Sequence, residues 1–129
     1  MQLEQGKGEN RMQFEYFGEK QKGQFEYYRI PKLLFSEKDF YGLSAEAKLL
    51  YGMMADRMGL SGRNGWKDEK GHIYVYYPIR EIKRMFHCGN DKAVKVLKEL
   101  DVKEGIGLIE TIRQGQGKPS RIYVKKIVV

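Results

Sequence analysis

The sequence is poor in residues that cross-link or kink small folds: it has one cysteine, Cys88, and three prolines in 129 residues. A single thiol closes no intramolecular disulfide, so stability must come from an apolar core, and a reducing compartment suits the chain. No run of apolar residues is long enough to cross a bilayer as a helix. The opening residues, MQLEQGKGENRMQ, lack the apolar stretch of a secretory signal, so the cytoplasm is the expected location and no membrane partner is expected. Catalytic constellations are also lacking. His87 and Cys88 have only His72 as a further soft ligand, too few for a metal site. Gly117-Lys118 imitates the end of a phosphate-binding loop, but Ile112 stands where its first glycine belongs and Pro119 where Ser or Thr belongs. Asp68 and Glu69 are neighbours in a polar loop and read as solubilising charge. We therefore expect no enzyme, no cofactor and no metal.

What is present is positive charge and one well-patterned helical stretch. The formal net charge is +7, and it is unevenly spread. Residues 1–30 carry five basic and five acidic side chains, whereas residues 31–129 carry 19 and 12. After Glu110 there are five basic residues and no acidic one. A basic body of this kind points first to nucleic acid. Hydrophobic content of 41% and charged content of 32% fit one globular domain with a modest core.

The patterned stretch is IREIKRMFHCGNDKAVKVLKEL, residues 79–100. Ile79, Ile82 and Phe86 recur at helical spacing and predict a first helix over 79–86. His87-Cys88-Gly89 makes the turn, with Gly89 free to take a positive φ. Asn90 then suits an N-cap, and Ala93, Val96, Leu97 and Leu100 stripe a second helix. Its other face carries Asp91, Lys95 and Lys98, flanked by Lys92. Upstream, Ser44 should cap a helix with Leu43, Ala47, Leu50 and Met54 at core spacing, ending near Met58 because Gly59 follows. Residues 31–42 are a connector whose Leu33, Leu34, Phe35 and Phe40 can seal the core. Trp66 sits in a Gly-rich loop, either folded back as a lid or free to stack on a partner. Residues 72–77 (HIYVYY), 108–113 (LIETIR) and 121–127 (RIYVKKI) read as strands, the last two joined by a turn with two glycines and a proline. Helix-turn-helix followed by a cationic hairpin is the pattern of a winged helix. At the N-terminus, QFEYF (13–17) and QFEYY (24–28) flank a Gly-bounded spacer and read as an aromatic hairpin. Such a hairpin is marginal alone, so Phe14, Tyr16, Phe25 and Tyr27 should pack either on the body or on a second subunit. The expected fold is thus α+β: a winged helix-turn-helix over 31–129 with an N-terminal tail and β-hairpin extension over 1–30.

Five phrases along the chain give a more specific reading. They are YRIPKLLF (28–35), LSAEAKLLYGMMADRMGLS (43–61), NGWKDEKGHIYVYYP (64–78), LKELDVKEGIGLIE (97–110) and RQGQGKPSRIYV (113–124). Across roughly residues 25–127 the chain resembles the N-terminal domain of plasmid replication initiators of the RepA_N family, found mainly on plasmids of Gram-positive bacteria. The resemblance implies a winged helix that binds repeats in double-stranded plasmid-origin DNA, often as a homodimer. It also implies a separate C-terminal domain, linked to recruiting host replication proteins, that this sequence does not contain.

On that reading the residues offered to DNA divide into base readers and phosphate holders. Lys95, central on the outer face of the second helix, is the first choice for a base contact, with Lys92 and Lys98 on phosphates and Asp91 beside them. Asn90 either caps the helix or reads adenine. From the wing come Arg113, Lys118 at the tip, and Arg121, the last being alternatively an ion-pair partner for Glu110. Arg80, Lys83 and Arg84 back the first helix of the motif onto phosphates. The competing functions are a winged-helix transcriptional repressor and a protein-interaction module of the replisome.

Overall fold

The computed structural model describes residues 12–18 and 26–129. Within them a short helix α1 (Leu33–Ser36) and a 3-10 turn (Lys38–Phe40) lead into α2 (Ala45–Arg63), followed by α3 (Ile79–Phe86), α4 (Asn90–Leu100), and an antiparallel pair β1 (Ile109–Ile112) and β2 (Arg121–Val124). This is an α+β winged helix. The register pairs Ile109 with Val124 and Ile112 with Arg121. Val75 adds a one-residue third strand by exchanging both backbone hydrogen bonds with Ile122.

Helix α2 is the spine. The Ser44 side chain accepts a hydrogen bond from the Ala47 N–H, and Glu46 sits at the positive end. The buried face carries Ala47, Leu50, Tyr51, Met53 and Met54, as the spacing predicts. The helix runs past Gly59 to Arg63, a full turn beyond the expected end. One glycine lowers helix propensity by only about 1 kcal/mol, and here the stop is set by Asn64 and by Gly65 at φ 78. Helices α3 and α4 pack on each other and α4 packs on α2, closing a core around Leu34, Leu50, Met54, Val75, Ile82, Val96, Leu100 and Ile109. Of the connector, Leu34 is buried and Phe40 packs on the core, but Phe35 lies outside it, beneath the Lys48 ammonium at 4.6 Å.

Two details at the helix-turn-helix differ from the sequence reading. His87, not Gly89, takes the left-handed conformation that ends α3, at φ 53 and ψ 50. Histidine is among the non-glycine residues that enter this region at modest cost. Gly89 is extended and occupies the N-cap of α4, so Asn90 is the first helical residue and its side chain does not cap. The strand expected over 72–77 is reduced to single bridges at Ile73 and Val75. The N-terminal hairpin also differs. Residues 12–18 and 26–30 carry no strand, and Phe14, Tyr16 and Tyr27 are 93%, 102% and 72% exposed rather than packed on the body. Phe25 and the spacer at 19–25 lie outside the described residues.

Helix α3 is fastened to α2 by charge. The Arg57 guanidinium donates through both terminal nitrogens to the two carboxylate oxygens of Glu81, one at 2.8 Å, and also to the Tyr76 carbonyl at 2.9 Å. It lies 4.1 Å from the centre of the Tyr77 ring. The hydrogen bond from Arg57 holds the Glu81 carboxyl below its ordinary value of 4.5. Burial pushes the Tyr77 hydroxyl up to about 12. Because Glu81 gives up its proton more readily folded than unfolded, the pair stabilises fully above the ordinary carboxylate range. That stabilisation is lost as pH falls below about 4.5 towards the depressed folded value. Glu81→Gln should therefore lower stability by about 1–3 kcal/mol at neutral pH. Denaturant titrations from pH 7 to pH 3 should show the variant and the parent converging as the pH falls.

Candidate nucleic-acid interface

The outward strip of α4 and the β1–β2 turn are the two cationic features the sequence singled out. On α4, Ala93, Val96 and Leu100 face inward, which leaves Asn90, Asp91, Lys92, Lys95 and Lys98 exposed. Asn90, Asp91, Val94, Lys95, Lys98, Glu99 and Glu104 line a shallow concavity of about 540 Å³. The three lysines are not equivalent. Lys92 pairs with Glu46 of α2 at 3.3 Å, and Lys98 approaches Glu104 at 3.8 Å. Glu46 is held below its ordinary value by its backbone N–H and then by Lys92. Among the described residues Lys95 has no carboxylate partner, so its charge is the one most available to an incoming anion.

The wing is braced from within. The Gln114 side-chain amide donates to the Pro119 carbonyl at 2.7 Å, and the Lys118 N–H donates to the Gly115 carbonyl at 3.2 Å. Gly115 and Gly117 have φ of 120° and 80°, conformations that favour glycine. Arg113, Gly115, Gln116, Gly117, Lys118 and Ser120 enclose a hollow of about 500 Å³, with Arg113 and Lys118 exposed. Arg121 is placed differently. It stands opposite Ile112 in the register, and its guanidinium lies 4.3 Å from the Tyr74 ring centre rather than on Glu110. Tyr123 first, and then Tyr74 and Tyr76 nearby, raise its already high pKa. Its position supports the root of the wing more than its tip.

In α3, Arg80 and Arg84 are exposed and Lys83 is half-buried. Arg84 leans towards Glu81 at 3.8 Å. Trp66 is half-buried and meets Tyr76 edge-on at 5.2 Å. Tyr76 meets Tyr74 at 5.5 Å, and Tyr74 meets Tyr123 at 5.9 Å. The loop tryptophan thus folds back on an aromatic tier that joins the 64–78 segment to the wing. Asp68 shapes that loop by accepting from the Lys70 and His72 amides at 2.9 Å each. Among the described residues no three His, Cys, Asp or Glu side chains gather as a metal site, and no helix is long and apolar enough to cross a membrane.

The carboxylates around α4 are what sequence reasoning missed. Glu46 and Glu104 neutralise two of the lysines, and Glu99 reaches across to Ser44. The turn after α4 is equally specific. Ile106 and Gly107 donate backbone hydrogen bonds to the carbonyls of Glu99 and Leu100. Gly105 passes so close that a Cβ there would lie 2.0 Å from the Glu99 carbonyl oxygen.

Residues 26–129 match the family described as "Replication initiator protein A (RepA) N-terminus". The chain belongs to this RepA_N family. It is 32% identical to a curated relative called "41 kDa protein" from Lactobacillus helveticus, covering 76% of this chain and 29% of the relative's length. Among solved structures, this RepA_N chain is 32% identical to one described as "N-Terminal domain of DNA binding protein", with a TM-score of 0.71 over 91% of this chain and 87% of the other. A second, described as "Structure of Rep-DNA complex", gives the same identity and TM-score over 89% and 86%. A third, described as "Structure of MDR initiator", gives 0.67 over 81% and 79%, again at 32% identity.

Gly105→Ala should destabilise the fold by about 1–3 kcal/mol, because backbone rather than a pliable side chain blocks the new methyl. Gly42→Ala, where the Cβ position is open, should change stability by less than about 0.5 kcal/mol. Paired thermal melts of the two variants compare the sites directly.

Proposed function

We propose that this chain is the DNA-binding domain of a plasmid replication initiator, and that it binds repeated sequences in double-stranded origin DNA in the bacterial cytoplasm. The observation that carries the reading is the likeness to a Rep–DNA complex along nearly the whole described chain. The outer strip of α4 adds chemistry that suits it. Lys95 reads a base edge or the phosphate beside it, and Asn90, released from capping, is free to pair with adenine. Lys92 and Lys98 exchange Glu46 and Glu104 for phosphate oxygens. Arg113 and Lys118 in the wing hold the backbone alongside, and Arg80, Lys83 and Arg84 supply the flank. The role is binding, not catalysis.

The protein acts as a homodimer in this proposal, with the aromatic arm around Phe14, Tyr16 and Tyr27 as the subunit contact. The exposure of these side chains on the isolated chain supports that assignment. Recruitment of host replication proteins belongs to a further domain of the longer relatives; the chain spans 29% of the curated relative's length.

Titration against a duplex selected by the protein from a randomised pool should show affinity falling steeply with salt, by a logarithmic slope of about −0.9 per phosphate contact. Salt-independent binding, or no enrichment of any sequence, would overturn the reading. Lys95→Ala should cost about 1–3 kcal/mol on the selected duplex and much less on random DNA. Lys118→Ala should weaken both alike and reduce the salt slope by about 1. In sedimentation equilibrium, a chain lacking residues 1–28 should run as a monomer where the full chain dimerises; an unchanged dimer would move the contact elsewhere.

A further inference from the structure

Helix α2 lacks the side chain that would ordinarily complete its cap. A capping box uses Glu or Gln at the third helical position to accept the N–H of the N-cap residue. Here that position is Ala47, which is fully buried. The missing carboxylate comes from α4. Glu99 Oε1 accepts the Ser44 N–H at 2.7 Å, and Glu99 Oε2 accepts the Ser44 hydroxyl at 2.7 Å, across 55 residues of sequence. The same hydroxyl accepts from Ala47 N–H at 3.1 Å. The cap of α2 and the seating of α4 are therefore one hydrogen-bonded unit.

Lys92 lies seven residues, about two helical turns, before Glu99, on the same side of α4. It pairs there with Glu46, in the first turn of α2. In the free chain these two contacts, two turns apart, set the rotation of α4 about its own axis, and the Glu99 contact is the one that persists when Lys92 turns to a phosphate. Lys95 and Lys98 stand on the adjoining strip, so this rotation decides which way they point. Of the two contacts the Glu99 fork is the rigid one: charge-assisted, partly buried and doubly bonded. The Lys92 pair is longer and more exposed.

We propose that Glu99 is a positioning residue for sequence recognition. It touches no DNA; it sets the roll of α4 so that Lys95 and Asn90 meet base edges in register. The inference rests on the reading of α4 as the helix that meets DNA. Base contacts need placement to within fractions of an ångström, whereas phosphate attraction tolerates misplacement. Loosening α4 should therefore erode specificity and spare non-specific binding, which a general loss of folding does not do.

The experiment uses the full chain, a duplex enriched by it from a randomised pool, and a random-sequence duplex of equal length. Glu99→Ala should bind the enriched duplex about 10-fold more weakly and change binding to the random one less than about 2-fold. Glu99→Gln serves as the conservative rescue. Its amide oxygen still accepts the Ser44 N–H and its amide nitrogen donates to the Ser44 hydroxyl, so specificity should stay near that of the parent although the charge is gone. Glu99→Asp keeps the charge but is one methylene too short for both bonds, so it should lose specificity. It also provides the test if Glu99→Ala fails to fold. Hydrogen exchange at the Ser44 amide should accelerate in the Ala and Asp variants and not in Gln. Equal loss on both duplexes, or a Gln variant as impaired as Ala, would overturn the positioning role. Unchanged specificity in a folded Ala or Asp variant would do the same while leaving the DNA-binding reading intact. If the parent chain enriches no sequence, the DNA-binding reading itself falls, and this inference with it.

Discussion

Everything that α4 and the wing present to solvent depends on how α2 holds them. Ridges-into-grooves packing of apolar side chains sets the coarse placement of a helix, but it is not directional and leaves some freedom of roll. The structure removes that freedom with polar contacts at both ends of one spine. At its N-terminus α2 is joined to α4 through Ser44 and Glu99. Towards its C-terminus it is joined to α3 through Arg57 and Glu81. Between these, the Tyr51 hydroxyl donates to the Lys125 carbonyl at 2.7 Å, just past the end of β2. Gly52 leaves room for Ile30, whose side chain would otherwise collide with a Cβ at 2.2 Å. One helix thus fixes the two helices of the motif, the root of the wing and the start of the N-terminal arm.

The electrostatics have a second layer. The chain is basic overall, but the lysines of α4 are not a bare positive stripe. Two of them rest against carboxylates of the same chain, in exposed pairs that solvent and salt screen and that are therefore weak. An incoming anion can displace such pairs. Lys95, between them in sequence, has no such partner among the described residues. The wing reaches the same end by different means. It keeps Lys118 exposed on a turn whose shape is set by glycine backbone geometry and by the Gln114–Pro119 hydrogen bond.

The local pattern carried much of this fold. The first helix of the motif lies where the apolar spacing places it, at 79–86, and the second ends at Leu100 as its stripe predicts but begins one residue early, at Asn90, because Gly89 rather than Asn90 takes the N-cap. The wing strands were legible as runs rich in strand-forming residues bounded by glycines and a proline, and they form over the shorter spans 109–112 and 121–124. What the pattern could not carry was chemistry between distant residues. Ser44 was legible as a cap, but nothing near it pointed to Glu99, 55 positions on. The Arg57–Glu81 fork has a sequence separation of 24 and no local signature. The left-handed residue of the turn was misplaced on Gly89 because glycine is the usual occupant, while His87 holds the position in fact. The aromatic arm misled in another way. Its alternation is that of a hairpin, yet residues 12–18 and 26–30 find no strand partner, as a ribbon without a sheet beneath it tends not to.

The proposed function requires α4 and the wing tip to form one DNA-facing surface oriented by α2. Backbone amide shifts of the isotope-labelled chain, followed while an enriched duplex is added, test it most directly. The account predicts that the largest changes fall together on residues 90–98 and 113–118, with α2 around Leu50 and Met54 little altered. Changes confined to the aromatic arm or to the exposed side of α2, with α4 silent, would contradict it.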